Sequence, residues 1–408
     1  MSKSQLEPRL RPGMARQSRP LLAAFAGGVL SMFVFGMLTM AVPWLLITSG
    51  HSVAWAGLAS FVIQLPIAVG MTLGGYFGDA FGPRRIVIGG GILAILSLAS
   101  ATMVAGSAHP TLIVVTGLLA MANLTGSAGD MAQESRLPEM ARLARWPLAR
   151  ANAVMDIAQY GGMASGGSLS VMLIDDFGLA TTLGIATMIC VLVTAIDVAC
   201  FPRFSRRIQA EDSEAGPGFF VHWKDRRLAL LIVLAVLLVG AFAALDDIVV
   251  PALATQAQLP GGYVARFLLL AAIASTLSTS LYAWRGHRWP IYAALLVYLW
   301  VTAAGFGLLA ALPATTAMLW APILIGIGAG PLGPLFNTIV QQRAPARHRG
   351  AVLGSLGGGI MLVQPVAALA SGVLIAWQGS RMAVYLTAGI VLAAAVVYTV
   401  TRGLLRTE

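Results

Sequence analysis

The sequence predicts an all-α integral membrane protein of about twelve transmembrane helices, divided into two halves of about six. Three observations carry that prediction. Of the 408 residues, 58% are hydrophobic and only 10% charged, and the mean hydropathy is +0.83. A soluble domain needs about 25% charged residues to cover its surface, so most of this surface must face lipid. Apolar runs of the roughly 20 residues that cross a hydrocarbon core recur along the whole chain. The basic residues collect in alternate gaps between those runs.

Taken in order, the expected spans are Leu21–Ile47, Val53–Phe77, Arg85–Ala105, Thr111–Met131, Ala151–Ile174 and Leu179–Phe201 in the first half. The second half holds Leu228–Leu253, Gly262–Ala283, Trp289–Leu312, Thr316–Val340, Gly350–Trp377 and Met382–Val400. Residues 1–20 form a basic tail ahead of the first span. That span is longer than the ~7–15 apolar residues of a signal peptide, so it is expected to be retained. The longest polar stretch, 202–227, contains Glu211, Asp212, Glu214 and the turn Gly216-Pro217-Gly218. It reads as the linker between a bundle over 21–201 and a second over 228–400, with a short tail at 401–408.

If the N-terminus is cytoplasmic, all of the 26 basic residues except Arg266 and Arg381 fall on the cytoplasmic side. Such a bias orients a membrane protein and places both termini in the cytoplasm. Preference for arginine over lysine and abundant alanine hint at a GC-rich bacterium, so a bacterial inner membrane is expected. The net charge of +10 does not indicate nucleic-acid binding, because the arginines lie in short clusters at span ends and not on one basic face. Cys190 and Cys200 lie ten helical residues apart, about 15 Å, too far for a disulfide, and read as packing residues.

The second and third spans are joined by Gly74-Gly75-Tyr76-Phe77-Gly78-Asp79-Ala80-Phe81-Gly82-Pro83-Arg84-Arg85. Gly70, Gly74 and Gly78, four residues apart, allow a neighbouring helix to approach closely. A carboxylate at the membrane edge, Asp79, needs a cationic or helix N-terminal partner. The segment resembles the signature G-x-x-x-D-[RK]-x-G-[RK]-[RK] of the major facilitator superfamily. Gly75, Asp79, Gly82, Arg84 and Arg85 match it, and Ala80 and Pro83 stand where basic residues are usual. The resemblance covers essentially the whole chain and implies two pseudo-symmetric six-helix bundles rocking around a central cavity. It also implies that Asp79 and the two arginines latch the cytoplasmic side. In the fifth span, Gly162, Gly166 and Gly167 match the antiporter motif G-P-x-x-G-G, with Met163 in the place of proline. Gly330-Pro331-Leu332-Gly333-Pro334, Gln341-Gln342, Arg150-Ala151-Asn152-Ala153 and the linker end Phe220 to Arg227 are similar to bacterial drug, macrolide and siderophore exporters. These matches favour export.

Ionisable residues inside spans are functional candidates. Asp156 lies in the fifth span beside Gln159 and Tyr160, without a local partner, and is the leading proton carrier. Asp130, with Arg136 or Arg150 as possible gate partners, and Asp246 and Asp247, with Arg266, are further proton-coupling or gate residues. Asp197 reads as an interface pair with Arg203. A carboxylate that meets water from each side in turn can carry a proton across, which is what a proton-driven antiporter requires. Gln64, Asn123, Gln159 and Gln364 either line the cavity or join helices.

The chain lacks the phosphate-gripping loop of an ATP-driven pump, having only Lys3 and Lys224, and lacks HExxH and G-x-S-x-G patterns. The expected function is therefore secondary export of a small, amphiphilic molecule (a drug, natural product or siderophore) by alternating access in exchange for protons. Uptake of a small nutrient is the alternative and a membrane-embedded enzyme a distant one. No cofactor, metal or nucleic acid is expected; the partners are substrate, protons and the bilayer, and a monomer is expected.

Overall fold

The computed structural model describes residues 12–146, 148–202, 225–285, 289–343 and 349–406, and these form helices and short turns without a strand. The first group comprises α1 (Pro12–Thr48), α2 (Val53–Phe81), α3 (Pro83–Ala105), α4 (Leu112–Glu134), the short α5 (Leu137–Leu143) and α6 (Leu148–Cys200). The second comprises α7 (Arg226–Ala244), a π-type turn (Leu245–Val249), α8 (Val250–Gln256), α9 (Gly261–Arg285) and α10 (Ile291–Ala311). It continues with α11 (Ala314–Ala329), α12 (Leu332–Arg343), α13 (Arg349–Gln378) and α14 (Ser380–Arg406). Most of the expected linker, 203–224, lies outside the described residues.

Eleven helical stretches among the described residues are long and apolar enough to cross a membrane. One of them, Ile157–Cys200, has 44 residues. At 1.5 Å per residue it would be about 66 Å long, twice the hydrocarbon thickness. The chain turns back within it at Gly178, whose φ of 79° and ψ of 173° lie where only glycine is unstrained. α6 therefore makes two traverses, and the described chain makes twelve. Asp175, Asp176 and Phe177, expected in a loop, remain helical, and the reversal narrows to that glycine. An even number of traverses puts both ends of the chain on one face. That face also carries Arg84, Arg85, Arg136 and Arg226, and is called the basic face below; the other is the far face.

A second departure from the expected spans is α5, in a stretch that reads as plain loop. Leu137 and Met140 of α5 are buried with Leu21 and Phe25 of α1 and Met155 of α6, so the short helix is amphipathic and caps its bundle. Arg136 ties it at its start through an ion pair with Glu139, N to O 3.1 Å.

Lipid gives helices no hydrophobic reason to associate, so packing depends on close van der Waals approach. Along the α1–α6 contact, a Cβ built on Gly166 would collide with the backbone of Phe33, and one on Gly36 with the backbone of Met163 and Gly167. The stripe Gly70, Gly74, Gly78 of α2 is used by α4 in the same manner: a Cβ on Gly74 would lie 2.6 Å from the Ala128 Cα. α1 to α6 pack chiefly on one another and α7 to α14 likewise. The outer surface carries side chains suited to lipid, such as Leu96, Met103, Ile113, Met188 and Val400.

Candidate functional site

The two helix groups meet mainly where α2 lies on α13 and where α6 lies on α9, with smaller contacts of α1 and α2 on the π-type turn and α8. Both principal seams are tightest near the far face. A Cβ on Gly57 would stand 2.7 Å from the Ala368 carbonyl oxygen, and one on Gly372 the same distance from that of Val53. Gly57 lies one turn from the start of α2 and Gly372 under two turns from the end of α13. On the second seam, Gly261 at the start of α9 leaves room for the Asp175 carboxylate, for Val171 and for the indole of Trp44. Trp44, 2% exposed, donates its Nε1–H to Asp175 Oδ1 at 2.8 Å. Bulkier residues at these positions would hold the halves apart.

One polar bond crosses the seam deeper in the membrane. Gln64 of α2, 4% exposed, donates from Nε2 to Asp247 Oδ2 at 2.6 Å and to Ser60 Oγ at 3.3 Å. Asp247 and its neighbour Asp246 stand in the π-type turn Leu245–Val249, between α7 and α8. A π-type turn inserts a residue into the helix and re-aims the side chains around it, and such turns recur at functional positions. Pro251, at the start of α8, cannot donate to the preceding turn. The turn places Asp247 against the opposite helix group at this depth. No ion pair joins either of them to Arg266, contrary to expectation. Arg266 is exposed, and its guanidinium lies over the Tyr263 ring, 5.8 Å from its centroid.

The other expected residues are placed as follows. Asn123, buried, donates to the Ile63 carbonyl at 2.9 Å, joining α4 to α2 one residue before Gln64. Gln159 and Gln364 are half-buried on α6 and α13. Gly162 and Gly166 face α1, and Gly167 lies between Gly36 of α1 and Leu268 of α9, where the second seam begins. Asp130 accepts from Ser31 Oγ at 2.8 Å and pairs neither with Arg136, which holds Glu139, nor with any other described cation. The side chains of Asp156 and of Arg150 lie outside the described residues, as does Arg203.

At the basic end of α2, Gly82 has a φ of 93° and joins α2 to α3 in a single residue. The surroundings of Gly75 and the side chain of Asp79 lie outside what is described. Arg84 donates through Nη2 to the Val198 carbonyl at 2.7 Å and through Nε to that of Phe201 at 3.2 Å. The last carbonyls of a helix lack intrahelical partners and carry partial negative charge, which a guanidinium satisfies. Arg84 thereby fastens the start of α3 to the end of α6. Arg85 is exposed.

Sequence reasoning missed the Trp44–Asp175 bond and the π-type turn. The pair of adjacent aspartates in an apolar run was the available signal for the turn; nothing local announces that residues 131 positions apart will meet.

Comparison with known proteins agrees with this architecture. Residues 24–363 match the family model of the Major Facilitator Superfamily. The chain is 25% identical over 354 residues to the multidrug efflux pump Tap of Mycobacterium tuberculosis, covering 83% of each chain. It is 25% identical over 350 residues to Tap of Mycolicibacterium fortuitum, covering 83% of this chain and 85% of that one. Among solved structures, the nucleoside transporter NupG superposes with a TM-score of 0.72 at 13% identity, over 95% of this chain and all of that one. A membrane-spanning bundle of twelve traverses, two helix groups meeting at a seam and a family match over most of the length have one meaning: the chain is a membrane transporter, not an enzyme, and belongs to the major facilitator superfamily.

Proposed function

We propose that this transporter exports a small amphiphilic organic molecule across a bacterial inner membrane in exchange for protons, with both termini in the cytoplasm. The observation that carries the proposal is the carboxylate of Asp247 in the seam between the helix groups, held by Gln64 of the opposite group, with Asp246 beside it in the turn. Alternating access requires that seam to part. Parting breaks the Gln64–Asp247 bond and gives the carboxylate to water on the far face, where it takes a proton. Closing returns Asp247 to Gln64 and the proton is handed on. A hydrogen bond to a charged group contributes about 1.5–3 kcal/mol, enough to bias the closed form and small enough to break during a cycle.

Asp156 of α6 and Asp130 of α4 are the further proton carriers in this reading, and Asp79 with Arg84 and Arg85 is the latch on the basic face. Gln159 and Gln364 contribute to the substrate path. Similarity to pumps named for multidrug efflux, over four-fifths of both chains, supports outward movement of drug-like molecules. The basic-face bias supports the cytoplasmic placement of that face.

The test is to delete the gene in its host and compare small molecules inside the cells and in the medium by mass spectrometry. A compound that accumulates inside and is depleted outside identifies the exported substrate. A compound that instead remains in the medium of the deletion strain, and is missing inside, contradicts export and establishes uptake.

A further inference from the structure

Outside the seam, a cleft of about 240 Å³ opens at the far-face ends of α8, α10, α11 and α14. α10, α11 and α14 pack chiefly within the second helix group, so the cleft lies away from the first. Its walls are apolar: Leu253 of α8, Leu309 and Leu312 at the end of α10, and Val384 of α14. Around it Met382, Tyr385 and Leu386 are exposed, as on a helix face that meets lipid. Two side chains with hydrogen-bond donors, Arg381 and Tyr385, also line the cleft. They stand four residues apart at the start of α14, on one side of the helix. Neither the Arg381 guanidinium nor the Tyr385 hydroxyl forms a hydrogen bond or an ion pair with a described residue.

The far-face turns at 49–52, 106–111, 257–260 and 312–313, with Gly178 and Gly379, all lie within the described residues. The residues and side chains outside the description fall, in sequence, before, between or within the basic-face ends of helices. The far face therefore holds no undescribed partner for Arg381. No carboxylate lines the cleft. The far-face acids Asp175 and Asp176 stand on α6, which meets the second group chiefly at α9. The first turn of α14 carries partial positive charge, which adds to that of Arg381 instead of offsetting it. The other far-face arginine, Arg266, has its guanidinium over the Tyr263 ring.

We propose that this cleft seats an anionic phospholipid of the far-face leaflet, its phosphate held by Arg381 and Tyr385 and an acyl chain lying along the leucine wall. A guanidinium matches a phosphate with two parallel hydrogen bonds, and a phenol hydroxyl adds a third. The depth is that of a headgroup. Trp377, four residues before Arg381 and 81% exposed, stands where tryptophans mark the membrane–water interface. Apolar walls beside the two donors suit a lipid better than a small hydrated anion, which would give up water to leucine side chains. Without a carboxylate to receive an ammonium group, the cleft favours a headgroup of net negative charge over a zwitterionic one. The site depends on neither the direction of transport nor its coupling to protons.

The experiment is photocrosslinking of the full chain in liposomes that contain phosphatidylglycerol with a diazirine in one acyl chain, the crosslinked peptides being identified by mass spectrometry. The expected result is crosslinking to residues 306–316 and 381–388 that phosphatidylethanolamine with the same label does not match. Arg381→Gln, a change at an exposed side chain, is expected to lower that yield at least about fivefold. Crosslinks at the basic face, unchanged in the same sample, serve as the standard. Arg266→Gln, which removes the other far-face arginine, is expected to leave the yield as it is. Ala314→Phe, which fills the cleft and keeps Arg381, is expected to lower it. An unaltered yield with Arg381→Gln overturns the proposal. Equal loss with Arg266→Gln overturns it in favour of a general attraction to the far face. Equal crosslinking of the two lipids by the parent overturns the choice of an anionic headgroup. Full yield in Ala314→Phe shows that the cleft is not the seat, and loss of yield on adding inorganic phosphate means a free-anion site instead.

Discussion

Asp247 accepts its hydrogen bond from a residue 183 positions earlier, in the other helix group. Both partners are withdrawn from bulk water, so removing the donor leaves the carboxylate without its main support. Gln64→Ala is expected to destabilise the closed far face by about 1.5–3 kcal/mol. The measurement is thiol labelling of a cysteine introduced at Ser60, a near-isosteric change at a fully buried position one turn beyond Gly57 in α2, in a background lacking Cys190 and Cys200: labelling from the far face should rise severalfold with Gln64→Ala. Unchanged labelling means the bond does not hold the seam. Asp247→Asn, which keeps a hydrogen-bonding group but no titratable one, is expected to lower proton-driven efflux by at least about tenfold, in line with loss of a proton-transfer group. Asp156→Asn is expected to have an effect of the same order, and efflux that survives it removes Asp156 from the proton path.

At the scale of the helix, glycines decide which faces meet. Gly166→Leu would drive a side chain into the Phe33 backbone, which cannot yield. Overpacking of this kind costs about 1–3 kcal/mol or more, so the variant should melt several degrees lower or fail to accumulate. Gly161→Leu, five residues earlier in the same glycine cluster but with open space beside it, should be tolerated. Equal behaviour of the two would mean that α1 does not approach α6 as closely as described. The same elements show how much was readable in the sequence. Long apolar runs and arginine clusters give the spans directly, because length and charge are local properties. The stripe Gly70, Gly74, Gly78 announces a close neighbour but cannot name α4 as that neighbour. Gly178 looks like any loop glycine, and only its backbone angle reveals that one residue turns the chain back. The π-type turn is illegible in advance because it depends on how Leu245 to Val249 pack, all but its two aspartates being buried. Of the site, the individual acids were legible as unusual charges in apolar runs. Their partners were not, since Asp130–Ser31, Asp247–Gln64 and Asp175–Trp44 each span about a hundred residues or more.

For the whole molecule, the tight seams near the far face and the Gln64–Asp247 bond describe a transporter closed on that side. The account requires the seams to part in each cycle, and requires the carboxylates in them to carry protons when they do. Gly372→Val, which places a branched side chain against the Val53 carbonyl, is expected to hold the far face apart and to stop transport while leaving the protein folded. The most direct test of the central claim uses everted membrane vesicles with an acidified lumen and a fluorescent reporter of lumenal pH. Addition of ethidium, or of the compound found by deletion of the gene, is expected to release protons from the lumen. Release should occur with the parent protein and not with Asp247→Asn. Uptake of the compound without proton release, or equal release by both proteins, would contradict proton exchange through the seam.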